Sequence, residues 1–188
     1  MPLRYQEAYN EVFWAVWEIT EGEEVLWKSA DLSPAEASGL RRITHTRRRL
    51  EALAARVART ILPALPNFSL SHSFPWAAAV CAPFPVAIDI ERKRPFPPEV
   101  WHYFTESSER QILNPPYITE WHFWCAKESA YKLLSSEFDC ISFRREMFFT
   151  GREIRFTRVA AQRRIQLVFR ETSGWLLGIG FPAEIGIL

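Results

Sequence analysis

Short apolar runs and longer helical periods follow one another along this chain, and together they predict both strands and helices. Residues 12–19 are rich in Val, Ile, Phe and Trp, which favours a buried strand. Residues 21–24 include Gly22 and predict a turn. Residues 25–28 are therefore predicted to return as the second strand of a hairpin.

Helical signals come next. Ser33 and Glu36 have the spacing of a capping box, with a proline between them, and predict the start of a helix. In residues 40–62 apolar side chains recur at helical spacing while arginines project on the polar faces. Glu51 alone offsets these arginines between residues 41 and 61. The polar side is either an ordinary solvated surface or a local patch that binds anions.

The remainder predicts further short strands around one long helix. Strands are predicted at residues 68–70, 77–81, 86–90, 141–143, 146–149, 154–158, 165–169 and 174–179. A helix is predicted to begin at residues 105–109 and to stop at Asn114-Pro115-Pro116, and a long helix covers residues 118–134. Helices packed on small antiparallel sheets, an α+β fold, fit this order. Pro83 and Pro85 mark the expected boundary between two halves, residues 1–85 and 86–188.

Composition narrows the class of protein. Of the 188 residues, 48% are hydrophobic and 24% charged, as in an ordinary globular protein. The net charge of +1 gives no global attraction to nucleic acid or to a membrane, so neither is expected as a partner. Three cysteines without a Cys-x-x-Cys pair indicate a reduced, cytoplasmic protein. Residues 12–17 are too short to span a membrane and lack the features of a signal peptide.

Two carboxylates stand out on the strand predicted at residues 86–90. Asp89 and Glu91 are two positions apart, so in an extended strand they point the same way. Carboxylates this close repel each other unless a cation lies between them, and magnesium suits an all-oxygen site. On so short a pattern, a solvated strand end is the favoured alternative.

The long helix adds a third carboxylate among lysines. Glu128 and Lys132 are four positions apart and share a face, and Lys127 lies beside them. These charges are either ordinary ion pairs of a helix surface or part of a site for a phosphorylated substrate. Together with Asp89 and Glu91 they favour the second interpretation, because cations neutralise phosphoryl oxygens and a carboxylate accepts a proton.

The segment Ser71-His72-Ser73 lies between two predicted strands. Its polar groups either form hydrogen bonds with the local backbone of a turn or donate to a phosphate. For the segment taken alone, the first alternative is favoured. A serine hydrolase is not indicated, because the chain has no Gly-x-Ser-x-Gly sequence. Zinc-binding Cys/His spacings and Gly-rich nucleotide-binding loops are also absent from the sequence.

Three ordered segments resemble the motifs of one known family. They are Phe-Ser-Leu-Ser-His-Ser at residues 68–73, Ala-Ile-Asp-Ile-Glu at residues 87–91 and Trp-Cys-Ala-Lys-Glu-Ser-Ala-Tyr-Lys at residues 124–132. Over residues 47–143 the chain resembles the 4'-phosphopantetheinyl transferases of the Sfp type. The third segment is the most specific, since it keeps the family's W-x-x-K-E-x-x-x-K pattern in full.

The resemblance implies two similar α+β halves related by a pseudo-twofold axis, with coenzyme A and magnesium bound between them. It implies a monomer that transfers the phosphopantetheine arm of coenzyme A to a serine of an apo acyl or peptidyl carrier protein and releases adenosine 3',5'-bisphosphate. The family's metal ligands correspond to Asp89, Glu91 and Glu128, and Glu128 is also the expected base. Contacts to coenzyme A correspond to Arg47, Arg48 or Arg49, and to Ser71, His72, Lys127 and Lys132, with Lys132 also counted as catalytic.

Two departures from the family pattern concern coenzyme A. The usual Gly-Lys-Pro segment is absent, and residues 60–67 form a short proline-rich connection without glycine or lysine. Ala87 also stands where the family has glycine. The alternative to an active transferase is therefore a module that binds coenzyme A or a carrier protein without turnover. A nucleic-acid contact of the arginine-rich helix is a further, less favoured alternative.

Overall fold

The computed structural model describes residues 3–114, 117–158 and 161–185. The chain divides into two compact units, Met1–Phe84 and Pro85–Leu188. Each unit contains one antiparallel sheet with helices packed on it. The predicted α+β class is therefore confirmed.

The N-terminal unit is a four-stranded sheet covered by a long helix. Its strands are β1 (Leu3–Tyr9), β2 (Val12–Glu18), β3 (Asn67–Ser73) and β4 (Trp76–Ala82), in the spatial order β1-β2-β4-β3. Its helices are α1 (Glu23–Ser29), α2 (Pro34–Arg41) and α3 (Thr46–Thr60). Leu53 and Val57 of α3 pack with Ala77 and Ala79 of β4, because α3 turns its apolar stripe to the sheet.

The C-terminal unit is a five-stranded sheet with α5 as its main helix. Its strands are β5 (Ala87–Arg92), β6 (Met147–Phe149), β7 (Glu153–Arg158), β8 (Ala161–Glu171) and β9 (Trp175–Pro182), in the order β5-β9-β8-β7-β6. Its helices are α4 (Pro98–Phe104) and α5 (Glu120–Leu134). Phe123 and Ala130 of α5 pack against Ile154 and Phe156 of β7. The opposite side of α5 faces β5 and β9, which carry the candidate site.

Several sequence predictions are confirmed closely. The strand predicted at residues 12–19 is β2, and the long helix predicted at residues 118–134 is α5. The capping box at the start of α2 is present: Ser33 accepts a hydrogen bond from the amide of Glu36, whose carboxylate accepts one from the amide of Ser33. These elements carry strong local signals.

The hairpin prediction is wrong in its second strand. Residues 25–28 lie within the helix α1, and β2 pairs instead with β1, which was not predicted. Leu26 is fully buried while Val25 is half-exposed. An apolar run this short has no period of its own, so packing decides its conformation.

Other departures lie where prolines and polar residues dominate. The Ser71-His72-Ser73 segment belongs to β3 and is not a turn. Pro98 starts the unpredicted helix α4, as proline can at a first helical position. The helix predicted from residues 105–109 is only a 3-10 turn at Glu109–Ile112, and its predicted proline stop lies outside the described residues. Residues 141–143 form no strand.

Within the described residues, no helix combines the length and the apolar character that crossing a bilayer requires.

Candidate active site

The candidate site is built on β5 and α5 of the C-terminal unit, which pack against each other. Asp89 and Glu91 alternate with the buried Ile88 and Ile90 along β5, so the two carboxylates share one face of the strand. Asp89 is 6% exposed. A carboxylate buried to this extent needs cationic or hydrogen-bonding partners.

Lys132 of α5 supplies one of those partners. Its Nζ lies 3.0 Å from Oδ1 of Asp89 and 2.7 Å from the carbonyl oxygen of Ile88. The lysine side chain is 29% exposed while that of Asp89 is 9% exposed. The ammonium group therefore joins the helix to the strand at the border between the interior and solvent.

Glu128 lies one helical turn before Lys132 on α5. Burial raises the pKa of Glu128 to about 7, and the negative charges of Asp89 and Glu91 raise it as well, while Lys132 opposes them. Cys125, one turn further back, responds to the same charges. Burial first, and then Asp89 and Glu91, raise the pKa of its thiol well above the ordinary value. The charges of Asp89 and Glu91 thus act on both Glu128 and Cys125 of α5.

The carboxylates of the candidate site are donors that suit magnesium. The carboxylates of Asp89, Glu91 and Glu128 are the hard oxygen donors that magnesium prefers, and their mutual repulsion is what a divalent cation relieves. Among the residues that the structure describes, however, no group of three or more His, Cys, Asp or Glu side chains is gathered for metal ligation. Asp89 reaches Lys132, and Glu91 lies 3.8 Å from Arg94. The donor chemistry therefore fits magnesium, while Asp89 and Glu91 lie near the cationic side chains of Lys132 and Arg94.

A close approach of α5 to β9 brings the helix to the site. Gly178 of β9 pairs with Asp89 of β5, and a Cβ atom at Gly178 would lie 3.1 Å from Cβ of Cys125. The hydroxyl of Ser129 donates to the carbonyl oxygen of Gly178 at 2.9 Å. The sequence interpretation assigned no role to Cys125, Ser129 or Gly178. The small residues of α5 and β9 were the sequence signal that could have indicated this contact, because small side chains allow two backbones to approach closely.

Lys127 lies in the interior, away from the residues just described. It is 0% exposed, and its Nζ donates to the carbonyl oxygens of Phe104 and Phe143 and to the carboxylate of Glu109. Burial lowers the pKa of Lys127, and Glu109 opposes this effect. With its three donors used inside the unit, Lys127 has no route to a phosphate, so the predicted coenzyme A contact finds no support here.

In the N-terminal unit, Ser71 and His72 are separated by the pleat of β3. Adjacent residues of a strand point to opposite faces, so the two side chains do not converge. His72 shares its face with Leu70, which packs in the core with α3, and its Nδ1 lies 3.4 Å from Oε2 of Glu51 on that helix. Ser71 is 8% exposed on the other face.

The three arginines at the start of α3 have different surroundings. Arg47 lies 3.4 Å from Glu51 and stacks over the ring of Phe74 at 4.6 Å. Arg48 is exposed, and Arg49 binds Glu23 of α1 through two hydrogen bonds of 2.6 and 2.8 Å. Arg47 is thus the arginine that shares a carboxylate with His72.

The acidic residues of α1 and α2 that pair with arginines of α3 were not identified from the sequence. Glu23 binds Arg49, and Glu36 lies 3.3 Å from Arg56 and 3.5 Å from Arg59. The positive charge of α3 is therefore offset by more acidic residues than the sequence count indicates.

Comparison with known proteins finds a family match in the C-terminal unit. The model of the 4'-phosphopantetheinyl transferase superfamily matches residues 85–178, which include Asp89, Glu91, Glu128 and Lys132. The chain is also similar to a 4'-phosphopantetheinyl transferase of Bacillus subtilis, with 36% identity over 94 residues. That alignment covers 44% of this chain and 42% of the relative, so the chain matches less than half the length of that protein. Since the superfamily model spans half of the 188 residues, the chain belongs to the 4'-phosphopantetheinyl transferase superfamily.

Proposed function

We propose that the chain transfers the 4'-phosphopantetheine arm of coenzyme A to a serine hydroxyl of an apo acyl or peptidyl carrier protein. The reaction is magnesium-dependent and releases adenosine 3',5'-bisphosphate. One observation carries this proposal: Nζ of Lys132 lies 3.0 Å from Oδ1 of Asp89, and burial together with the charges of Asp89 and Glu91 raises the pKa of Glu128, all inside the segment that matches the superfamily.

Glu128 is proposed to accept the proton of the carrier serine. A carboxylate with a pKa of about 7 is partly deprotonated near neutral pH and binds a proton more tightly than an ordinary glutamate does. The serine oxygen then forms a bond to the β-phosphorus of the pyrophosphate. The bond from that phosphorus to the bridging oxygen breaks, and adenosine 3',5'-bisphosphate leaves.

Asp89, Glu91 and Glu128 are the residues proposed to hold magnesium. When bound, magnesium neutralises oxygens of the pyrophosphate and so lowers the cost of adding a nucleophile to it. Lys132 is proposed to add a second positive charge. Two of its three donors reach Ile88 and Asp89, which leaves one N–H for a phosphate oxygen among the contacts of the described residues.

The proposed contacts of the N-terminal unit are to phosphate groups of coenzyme A. His72 and Arg47 both extend towards solvent, with side chains 38% and 55% exposed. Imidazole and guanidinium groups are suitable donors to phosphate. Ser71 and Arg48 remain weaker proposals, and Arg49 is engaged by Glu23.

The test is incubation with coenzyme A, magnesium and a small panel of apo carrier proteins, followed by intact mass measurement. We expect one carrier to gain the mass of a phosphopantetheine arm, and the gain to disappear with EDTA. Glu128→Gln should lower the rate by at least about 100-fold, because the proposed base is lost. Binding of coenzyme A without any mass gain across the panel would support the non-catalytic alternative.

The partner proposals are tested in the same preparation. We propose a monomer without affinity for nucleic acid. Light scattering during size-exclusion chromatography checks the first point, and retention on DNA that weakens steeply with salt would contradict the second.

A further inference from the structure

A carboxylate lies on the side of α3 that packs against the sheet. Glu51 is 7% exposed, and it shares this side of the helix with the buried Ala54, Ala55 and Ala58. An ionised carboxylate among apolar side chains is costly to bury unless donors surround it. The contacts of Glu51 therefore indicate what the residue does.

Three groups, from α3, from β3 and from the turn that follows β3, converge on the Glu51 carboxylate. The amide of Phe74 donates to Oε1 at 3.1 Å, and Nε of Arg47 lies 3.4 Å from the same oxygen. The imidazole Nδ1 of His72 lies 3.4 Å from Oε2. One buried acid thus connects the start of α3 with the end of β3.

The two side chains that contact Glu51, those of His72 and Arg47, are more exposed than Glu51 itself. The side chain of Glu51 is 10% exposed, whereas those of His72 and Arg47 are 38% and 55% exposed. Arg47 is restrained a second time because its guanidinium group stacks over the ring of Phe74 at 4.6 Å. The Glu51 carboxylate therefore contacts two side chains that both remain partly exposed to solvent.

We propose that Glu51 is a positioning residue that holds His72 and Arg47 together as a binding pair for one phosphate group. The proposal rests on the proposed function, in which that phosphate belongs to coenzyme A. It also selects Arg47 from the three consecutive arginines, since Arg49 is engaged by Glu23.

The carboxylate determines which imidazole nitrogen carries the proton. A neutral imidazole beside an acceptor at Nδ1 keeps its proton there, so Nε2 faces outwards as an acceptor. On further protonation the ring donates through Nε2 to a phosphate oxygen, while the carboxylate balances its charge. Without the Glu51 carboxylate, the ring loses the acceptor that favours a proton on Nδ1.

The experiment compares the full chain with its Glu51→Gln variant. Long-range proton–nitrogen NMR spectra report the tautomer of His72, whose signals are assigned with His72→Gln. We expect the Nδ1–H form in the unmodified protein and a shift towards the Nε2–H form in Glu51→Gln. In the mass assay, KM for coenzyme A should rise about 10-fold while kcat stays within about twofold, because a binding contact and not a reacting group is disturbed.

Glu36→Gln is the matched control. Glu36 is also a glutamate of the N-terminal unit with two arginine partners, at 3.3 and 3.5 Å, and it does not touch His72. This variant should leave the His72 tautomer and the KM for coenzyme A unchanged. A change in either one would indicate a general effect of the lost charge or of lower stability.

The outcomes separate this proposal from the proposed function. An Nε2–H tautomer in the unmodified protein would overturn the positioning role without any variant, and so would an unchanged tautomer and KM in Glu51→Gln. A third outcome is possible: Glu51→Gln changes the tautomer as expected, but the unmodified protein neither transfers the arm nor binds coenzyme A. That outcome would support the positioning of His72 and would overturn the proposed function.

Discussion

Two lysines of α5, five positions apart, have different tasks although both belong to the same motif. Lys132 lies at the border with solvent, where its ammonium group contacts Asp89. Lys127 is fully buried and joins Phe104, Glu109 and Phe143, which come from three separate segments around the helix. Lys127 therefore stabilises the unit that holds the site, and Lys132 belongs to the site.

Replacing Lys127 with methionine should destabilise the protein strongly. The change leaves Glu109 as a buried carboxylate, 4% exposed, without its ammonium partner. We expect a loss of about 3–5 kcal/mol in the free energy of unfolding, measured by urea denaturation. Lys28→Met is the control, because Lys28 and Glu24 are 75% and 82% exposed. That variant should change stability by less than about 0.5 kcal/mol. Equal effects of the two substitutions would contradict the assigned role.

Glu128 predicts a pH dependence of stability in the metal-free protein. Its pKa is about 7 in the folded chain against an ordinary 4.5, so the folded state holds a proton that the unfolded state releases. The stability from this proton is fully present below pH 4.5 and is lost as the pH rises to about 7.

The measurement is urea unfolding at pH 4.5 and at pH 7.5 in EDTA. Across this window Glu128 should lower the free energy of unfolding by on the order of 2 kcal/mol, after allowance for its partial exposure. Glu128→Gln should remove that contribution and leave the contributions of the other titrating groups unchanged. A pH slope identical in the two proteins would show that Glu128 titrates normally.

At the scale of elements, the contact between α5 and β9 decides whether the site forms. Gly178 provides the space in which the backbone of Cys125 lies, and the same glycine pairs with Asp89. The helix is therefore held at a distance from β5 that lets Lys132 reach the strand. A larger residue at this point would lift the helix and separate the charged groups.

Gly178→Ala tests this contact. Its Cβ would meet Cβ of Cys125 at 3.1 Å and the backbone carbonyl atoms of Cys125 at 3.3 Å, and backbone cannot rotate away. We expect a loss of about 1–3 kcal/mol in the free energy of unfolding. Gly39→Ala in α2 is the control, since no heavy atom lies within 4 Å of its Cβ. The control should be neutral or stabilising by up to about 1 kcal/mol. A similar response from the two glycines would contradict the tight packing of α5.

Local sequence signals accounted for elements with a strong period or cap. The amphipathic pattern of α5, the apolar run of β2 and the capping box of α2 all depend on neighbours within a few residues. The helix α1 was missed because Leu26 is its one buried residue, and its pairing to α3 through Glu23 and Arg49 spans 26 positions. Contacts at such separations have no signature in a single sequence.

At the scale of the whole molecule, each unit has its own sheet and its own buried core. Central strands in such sheets open only when the unit unfolds, whereas edge strands fray. Hydrogen exchange measured by mass spectrometry should therefore show the slowest amides in β4 and β9, and faster exchange in β1 and β6. The control is internal, because a central and an edge strand are compared within each unit. Uniform exchange along one sheet would contradict separate cooperative cores.

The sequence by itself determined the spacing of the charged residues on the local elements. Two positions in a strand bring Asp89 and Glu91 to one face, and four positions in a helix align Glu128 with Lys132. These relations follow from backbone geometry, which is the same in every protein. That is why the sequence alone could group these four charged residues as a candidate site and could indicate the superfamily.

Only the tertiary structure decided which charges meet and which are buried. It joined Glu51 to His72 across 21 positions, separated Ser71 from His72 by the faces of β3, and enclosed Lys127 in the core. The positions of Lys127 and Lys132 in the sequence are compatible with a buried lysine or with a lysine of the site. Helical periodicity shows which face of the helix a residue lies on, but it does not show what packs against that face. Packing between distant elements sets burial, and burial sets the charge and the chemistry of each group.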